Sequence, residues 1–212
     1  AARRLGVDVD VVAPGVALDG YGAVLVPSLP IVSDAAHAAF RSSSAHILFG
    51  PRSGSKTRHF AIPETLPPGP LQDLIPIKVI EVASLSPDIV VAVEGGTVRH
   101  WREHLELQHP DVIVDRRFAN GDPALVRNDR VSYLAGWAEP DLLHATIMRL
   151  FERAGIETLE LPDHVRIRRL GGIQFAFNYG SESWTIPVRE TDLILGSRTI
   201  PPHDLAAGKT DD

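Results

Sequence analysis

Short apolar runs alternate with a helical pattern along the first fifty residues. The runs lie at residues 7–12, 23–26 and 46–49, are rich in β-branched or apolar side chains and are bounded by Gly or Pro, as is typical of strands. An alanine-rich segment at residues 33–40 follows the second run, and the Ser33 hydroxyl can cap a helix that begins there. Strands that alternate with helices predict an α/β unit with a mostly parallel sheet.

Prolines interrupt this pattern between residues 50 and 76. Pro has no backbone N–H, so it blocks regular ladders, and loops of this length inside compact domains are usually functional or packed against something. We therefore treat the segment as a candidate partner surface, with a self-packed surface loop as the alternative. The prolines are Pro51, Pro63, Pro67, Pro68, Pro70 and Pro76.

Strand patterns resume after the prolines, and one long helix follows them. Asn120-Gly121 predicts a hairpin turn, and residues 141–154 carry apolar side chains at helical spacing until Gly155 ends the helix. Beyond Pro162 we expect only strands, paired as antiparallel hairpins around a Gly171-Gly172 turn. The predicted strands are residues 79–82, 89–93, 112–118, 124–127, 131–135, 165–170, 173–178, 183–188 and 193–197.

Composition excludes several classes of protein. The chain has 212 residues, a formal net charge of −6 and no basic stripe, so nucleic acid is an unfavourable partner. It has no cysteine, which excludes disulfides, thiolate metal sites and a cysteine nucleophile. Its apolar runs are far shorter than the roughly 20 residues that span a bilayer, so we expect no membrane segment. Because the chain does not begin with Met, we expect a piece of a longer chain or a processed product.

Residues 50–57, with the sequence GPRSGSKT, nearly fit a phosphate-binding loop. Ser55 stands where the second Gly of that motif belongs, and Lys56-Thr57 is in register. The mechanism needs a helix that begins at Lys56-Thr57 and points its N–H groups at the phosphates, whereas this sequence leads into prolines. We interpret the motif as a structural or interface turn.

His100, Glu103 and His104 fit the H-x-x-E-H pattern of inverted zinc peptidases if residues 97–108 form a helix. The alternative is an exposed polar face with Trp101 and Leu105 on the buried side. A metallo-hydrolase that uses these three residues stays an alternative function.

Aromatic residues provide the second alternative function. Trp137, Trp184 and Tyr179 could stack on a sugar ring, although aromatic side chains in strands more often belong to a core or an interface. An independent carbohydrate-binding module with Trp184 and Tyr179 as its platform is the resulting hypothesis. The sequence has no Gly-x-Ser-x-Gly motif and no evident carboxylate pair for acid–base catalysis.

Several motifs follow one another along the chain: YGAVLVPSLP at 21–30, LFGPRSGSKT at 48–57, LPPGPLQDL at 66–74, WREHL at 101–105 and GDPA at 121–124. Their order resembles that in the non-catalytic parts of β-galactosidases of glycoside hydrolase family 42. The similarity continues through residues 131–136 and 166–179, so that it spans nearly the whole chain.

The resemblance implies a three-part parent enzyme with a catalytic (β/α)₈ barrel, a trimerisation domain and a small β-sandwich. This chain would be the last two parts: an α/β, Rossmann-like three-layer domain of the class I glutamine amidotransferase type at residues 1–160, and a small antiparallel β-sandwich at 161–212. The family retains anomeric configuration with two barrel glutamates, and neither corresponds to a residue of this sequence. The resemblance therefore implies no catalytic residue, metal or cofactor here.

The implied function is non-catalytic trimerisation of a β-galactosidase that hydrolyses terminal β-D-galactosides. The implied partners are two further copies of the chain, with the galactoside bound only through the missing barrel, and the implied location is cytoplasmic. A closed three-fold ring needs two different complementary patches on each chain. The candidate residues for one patch, all in the proline-rich segment, are Arg52, Lys56, Phe60, Ile62, Leu66 and Leu71.

Overall fold

A computed structural model describes residues 1–186 and 192–209 of the chain. These residues form two compact units: one contains Val12–Ile156, and the other combines Ala1–Val11 with the described residues from Glu157 onward. Most regular structure in both units is β-sheet, and helices are few. No helix among the described residues is long and apolar enough to span a bilayer.

The unit of residues 12–156 contains two α-helices and nine strands. A 3-10 helix, Gly69–Asp73, lies within the proline-rich segment, which has no strand. In chain order the elements are β1 Ala23–Val26, α1 Asp34–Ser42, β2 His46–Phe49, β3 Ile77–Ser84, β4 Val90–Val93, β5 Gly96–Leu107, β6 Ile113–Arg117, β7 Pro123–Asn128, β8 Val131–Leu134, β9 Gly136–Ala138 and α2 Pro140–Arg153.

These strands form two sheets. The first has the order β1-β2-β8-β7-β6, in which β1, β2 and β8 are parallel, and β7 and β6 continue the sheet antiparallel. The second is antiparallel, with the order β3-β5-β4 and with β9 also paired to β5. The sequence-based prediction of an α/β fold therefore holds only in part: sheet dominates, helices are few, and the parallel pairing is limited to β1, β2 and β8.

The predicted β-α-β unit is confirmed. The Ser33 hydroxyl accepts a hydrogen bond from the Ala36 backbone N–H at 3.2 Å, which caps α1, and the buried face of the helix carries Ala36, Ala39 and Phe40. Phe40 meets Phe49 of β2 edge-on, with ring centroids 5.1 Å apart. Burial of this aromatic pair fixes the helix against the first sheet.

The helix predicted at residues 97–108 is wrong, because residues 97–107 belong to strand β5. The helical spacing of Trp101 and Leu105 also suits a strand, since residues four apart lie on one face in both structures. Pairing of β5 with β3, β4 and β9 decides between them, because it satisfies the backbone groups of β5 along both edges.

Within its described residues, the other unit has six strands and a 3-10 helix, Ala2–Leu5. Its main sheet is antiparallel, with the order β10-β11-β15-β13, while β12 pairs with β14, and the Gly171-Gly172 hairpin is confirmed. Val165, Ile167, Ala176, Ile186 and Ile200 form its buried core. The strands are β10 Val165–Leu170, β11 Ile173–Asn178, β12 Trp184–Thr185, β13 Leu193–Leu195, β14 Thr199–Ile200 and β15 Asp204–Lys209.

Two further predictions from the sequence are modified. Residues 7–12 form no strand; the Asp8 carboxylate instead accepts the Arg169 backbone N–H at 3.1 Å and lies 3.5 Å from the Arg168 guanidinium. The alternation of Val and Asp is typical of a strand, but these residues contact the rest of the unit through acidic side chains and not through the backbone hydrogen bonds of a sheet. Of the strand predicted at 183–188, residues 184–185 are extended, and residues 187–188 lie outside the described residues.

A Rossmann-like three-layer fold is not confirmed by this architecture. Only three of the five strands in the first sheet are parallel, and α1 is the only helix that connects two of them. The predicted domain division at residue 160 stays a prediction; the first eleven residues group with the C-terminal strands, where Leu5 and Arg4 accept backbone hydrogen bonds from Leu159 and Leu161.

Candidate functional site

The proline-rich segment begins directly after β2, and two close backbone approaches fix its base. A Cβ at Gly50 would lie 2.0 Å from the Pro27 carbonyl oxygen, and one at Gly54 would lie 1.8 Å from that of Pro68. Gly54 also has a φ of +65°. Only glycine fits at these positions. The close backbone contacts therefore explain the two glycines of the sequence that nearly fits a phosphate-binding loop.

Backbone hydrogen bonds connect this base to the chain after β1. The N–H groups of Gly54 and Lys56 donate to the carbonyls of Leu29 and Pro30, both at 2.9 Å. Lys56 continues this contact as a bridge to Ile31, and no helix begins at Lys56-Thr57. The helix N-terminus that a phosphate site requires is therefore not built here.

The buried carboxylate of Glu103 binds the start of the proline-rich segment. Only 1% of Glu103 is exposed. One carboxylate oxygen, Oε1, accepts the Arg52 backbone N–H at 2.8 Å and the Trp101 indole N–H at 2.9 Å, and Oε2 accepts the Tyr133 hydroxyl at 2.7 Å. Glu103 thus joins β5, β8 and the segment, because each element contributes one donor.

Burial sets the electrostatics of this cluster. Desolvation raises the pKa of Glu103, although the hydrogen bonds from Trp101, Tyr133 and the Arg52 backbone act in the opposite direction. Burial, together with the nearby Glu103 charge, also raises the pKa of Tyr133 well above its ordinary value, so its hydroxyl remains a donor. Arg52 adds a cation–π contact, with its guanidinium carbon 5.0 Å from the centre of the Trp101 ring.

The outer end of the segment is a compact turn at residues 57–61, which we call the tip. The Thr57 N–H donates to the Ala61 carbonyl at 2.8 Å, and the Phe60 N–H donates to the Thr57 carbonyl at 2.9 Å. The Thr57 hydroxyl accepts the N–H groups of His59 and Ala61 at 3.3 and 3.2 Å. These bonds hold Phe60 in the left-handed region, at φ +64°, with its side chain directed outward.

The candidate interface residues separate into exposed and buried members. Phe60 is 69% exposed, Ile62 62% and Leu66 38%. Leu71, in contrast, is 0% exposed and belongs to the core of its own unit, so its proposed role as a contact residue is corrected. The sequence showed that Leu71 is apolar, but only the fold showed that the 3-10 helix turns it inward.

The H-x-x-E-H residues do not converge on a metal. On strand β5 residues four apart are separated by about 13 Å, and Glu103 is committed to the three donors named above. His104 instead lies with Nδ1 3.2 Å from an Asp122 carboxylate oxygen, and His100 is exposed. Among residues 1–186 and 192–209 no group of three His, Cys, Asp or Glu side chains could hold a metal ion.

The three aromatic candidates are distributed over both units. Trp137 belongs to the unit of residues 12–156, whereas Trp184 packs on the core of the other unit. Tyr179 is 64% exposed and stacks on Phe177, which in turn stacks on Phe175, with centroids 6.2 and 6.5 Å apart. The alternation of aromatic residues at positions 175, 177 and 179 was the sequence signal for this row.

Sequence reasoning missed the anchoring role of Glu103 and its partner Tyr133. The available signal was the alternation along residues 101–105, in which a carboxylate occupies the position between two apolar side chains, the half-buried Trp101 and the buried Leu105. A charged residue in the inward register of a strand predicts a buried, hydrogen-bonded group.

The chain is similar in sequence and in structure to known proteins. Residues 1–157 match the family described as "Beta-galactosidase trimerisation domain". A β-galactosidase of Thermus thermophilus is 47% identical over 97% of this chain. The crystal structure of a β-galactosidase from the psychrophilic Marinomonas ef1 covers 99% of the chain with a TM-score of 0.92 and 33% identity.

A more distant structure shows the same fold. The E323A catalytic mutant of Gan42B, a GH42 β-galactosidase from G. stearothermophilus, covers 98% of the chain with a TM-score of 0.79 at 15% identity. The chain spans 32% of the lengths of the Thermus and Marinomonas proteins and 34% of Gan42B. With a family match over residues 1–157, the chain belongs to the β-galactosidase trimerisation domain family of glycoside hydrolase family 42.

Proposed function

We propose that this chain is the self-association region of a β-galactosidase and assembles as a homotrimer. The observation that carries this proposal is the tip, where a rigid, hydrogen-bonded turn exposes Phe60 and, beside it, Ile62. Large apolar side chains that a fold holds in water mark interaction surfaces when they cluster. The family description supplies the kind of partner, which is another copy of the chain.

Backbone strain in the proline-rich segment supports an interface role. Phe60 and Leu66 have φ values of +64° and +66°, and Arg52 one of +67°. Non-glycine residues in this region are uncommon and cost about 1–3 kcal/mol each, and they cluster at functional sites. The bonds that Glu103 and Thr57 make to this segment offset the strain and keep the apolar side chains in place.

We infer the remaining properties from the relatives. In the parent enzyme a barrel, absent from this chain, would hydrolyse terminal β-D-galactosides with two glutamates, and this chain would supply no catalytic residue and no cofactor. Substrate contact would occur through that barrel. Neither nucleic acid nor a membrane is an expected partner, and a cytoplasmic location stays a prediction.

The finer description of the fold is also a proposal. We infer that β1, β2 and β8 are a reduced counterpart of the parallel layer in class I glutamine amidotransferases. Its support is that α1 packs on the face of β2 that carries Phe49, whereas α2 contacts β2 and shares a cavity with Leu48, which points to the opposite face. The amidotransferase nucleophile has no counterpart, since the chain has no cysteine.

Light scattering over a concentration series tests the self-association. We expect the mass to rise toward three chains, and the double variant Phe60→Asp with Leu66→Asp to remain at one, because each charge would have to be desolvated in the interface. Val11→Asp with Val16→Asp is the matched control, since these exposed valines, at 91% and 40%, also lie in irregular segments. The proposal fails if the unaltered chain stays monomeric at millimolar concentration, or if the Phe60/Leu66 variant assembles like the control.

A further inference from the structure

We propose that the tip of one copy inserts Phe60 into an apolar pocket of the next copy, next to Trp137. This inference deepens the proposed self-association and rests on it. It names the surface that receives the tip, which is a different part of the same unit. The result is a head-to-tail contact, the type from which a closed three-fold ring is built.

The pocket is a cavity of about 220 Å³ with almost wholly apolar walls. It lies beyond the carboxyl ends of the parallel strands β1, β2 and β8, where ligands characteristically bind in open α/β sheets. Leu143 and Ile147 of α2 close one side of it. The wall residues nearest the strand ends are Val26, Pro27, Pro51, Leu134 and Trp137.

The size and chemistry of this cavity suit a benzyl side chain. An apolar protein cavity of about 150 Å³ is large enough to bind benzene. The Trp137 residue is 43% exposed at the mouth, so a planar ring can contact it from outside. Phe60, 69% exposed, is a planar apolar group that its own unit leaves in water, and its insertion would cover both aromatic residues.

Charge complementarity favours a second copy as the occupant. Basic residues precede Phe60 on its own segment: Arg58 is exposed, Lys56 is half-buried and His59 adjoins Phe60, whereas the next charged residue after it is the exposed Glu64. Glu139 and Asp141, at the beginning of α2, follow the pocket residues Trp137 and Ala138 along the chain, and Glu139 also pairs with Arg99 at 3.4 Å. Opposite charges at these two places steer the tip toward the pocket and oppose tip-to-tip or pocket-to-pocket contacts.

The tip is also ordered before it docks. Thr57 accepts and donates the hydrogen bonds that shape the turn, so Phe60 is already presented and little backbone freedom is lost on docking. An anchor of this kind, an aromatic ring in a desolvated pocket, is where interface binding energy concentrates.

Cross-linking tests which surfaces meet, because the chain has no native cysteine. One chain carries His59→Cys, which leaves Phe60 intact, and another carries Pro140→Cys at the first residue of α2, two positions after the pocket residue Ala138. Mixed and treated with a short bis-maleimide, they should give a covalent dimer that contains one chain of each kind. His59→Cys mixed with Asp88→Cys, a surface position in the β3–β4 turn, is the control and should give none.

Side-chain truncation tests the energetics of the same contact. Phe60→Ala and Trp137→Ala should each weaken self-association by roughly 30-fold, the effect of a typical hot spot. Ile80→Ala, which truncates a 55% exposed side chain on β3, should leave it unchanged. Arg58→Glu should also weaken association, and adding Asp141→Arg should restore it.

The outcomes separate this inference from the proposed function. If the chain assembles but His59→Cys and Pro140→Cys do not cross-link, the inference is overturned while self-association stands. The inference is likewise overturned if Trp137→Ala assembles as well as Ile80→Ala does. If the unaltered chain does not self-associate at any concentration, the proposed function and this inference fall together.

Discussion

Glu103 offers a direct test of how the interface segment is held. Two replacements separate its acceptor role from its charge. Glu103→Gln keeps the shape and an Oε1 that can accept the Arg52 and Trp101 N–H groups, and its amide can donate to the Tyr133 hydroxyl oxygen, because a hydroxyl both donates and accepts. Glu103→Leu removes every acceptor.

The expected magnitudes follow from burial of the three donors. The Tyr133 hydroxyl is fully buried, and leaving it without a partner costs about 1–3 kcal/mol. The Arg52 and Trp101 bonds are only partly buried, so water replaces part of what is lost. We expect Glu103→Leu to lower the free energy of unfolding by about 2–5 kcal/mol, and Glu103→Gln to change it by less than about 1 kcal/mol at pH 4.

The pH dependence has a definite sign. Burial raises the pKa of Glu103 in the folded chain above its value in the unfolded chain, so folding favours the protonated form. The stability that this proton provides is complete below the unfolded pKa and is lost as pH rises through the folded pKa. The difference in unfolding free energy, Glu103→Gln minus wild type, should therefore increase from pH 4 toward neutrality and then level off.

Urea unfolding at a series of pH values measures this difference. Tryptophan emission reports on the site, because Trp101 contacts Glu103, and far-UV circular dichroism follows the sheets. Other titrating groups cancel in the comparison with wild type, since both proteins carry them. Parallel pH profiles for Glu103→Gln and wild type, or an unchanged stability for Glu103→Leu, would refute the reasoning.

Four further predictions concern the fold and the chemistry. Gly54→Ala should lower the free energy of unfolding by about 3 kcal/mol or more in thermal or urea unfolding, because its Cβ would meet the Pro68 carbonyl. Gly121→Ala is the control, since Gly121 also has a positive φ but has open space around it, and it should cost only about 1–2 kcal/mol. Equal losses for the two variants would contradict this. Ser33→Ala should cost about 1 kcal/mol through loss of the α1 cap, and a Ser33→Thr variant should retain most of it, both measured by urea unfolding. Elemental analysis after metal loading should find no stoichiometric zinc, and one zinc per chain that His104→Ala removes would revive the metallo-hydrolase. The chain alone should not hydrolyse a nitrophenyl β-galactoside, and turnover that persists through repurification would show otherwise.

The sequence predicted those parts of the fold that depend on neighbouring residues. Ser33 and the alanines after it predicted α1, the apolar spacing before Gly155 predicted α2, and Asn120-Gly121 and Gly171-Gly172 predicted two hairpins, all of which the structure contains. Caps, helical periods and tight turns involve contacts over a few residues, so their signals remain local.

Local pattern also indicated the irregular segment that carries the proposed interface residues. The prolines between residues 50 and 76 marked an irregular segment, and Phe60 and Ile62 within it are exposed as an interface requires. Leu71 has the same apolar character and lies in the same segment, yet it is buried in the core. Nothing within its immediate sequence distinguishes it from the other two, because burial depends on distant strands.

Long-range pairing decided the rest. Residues 97–108 fit a helix or a strand, and β5 became a strand because β3, β4 and β9 supply partners for its backbone. Residues 7–12 alternate like a strand but have no ladder to join. Glu103 gained its role in the same way: its donors come from residues 52, 101 and 133, which are brought together only when the loop and two strands have assembled around one buried carboxylate.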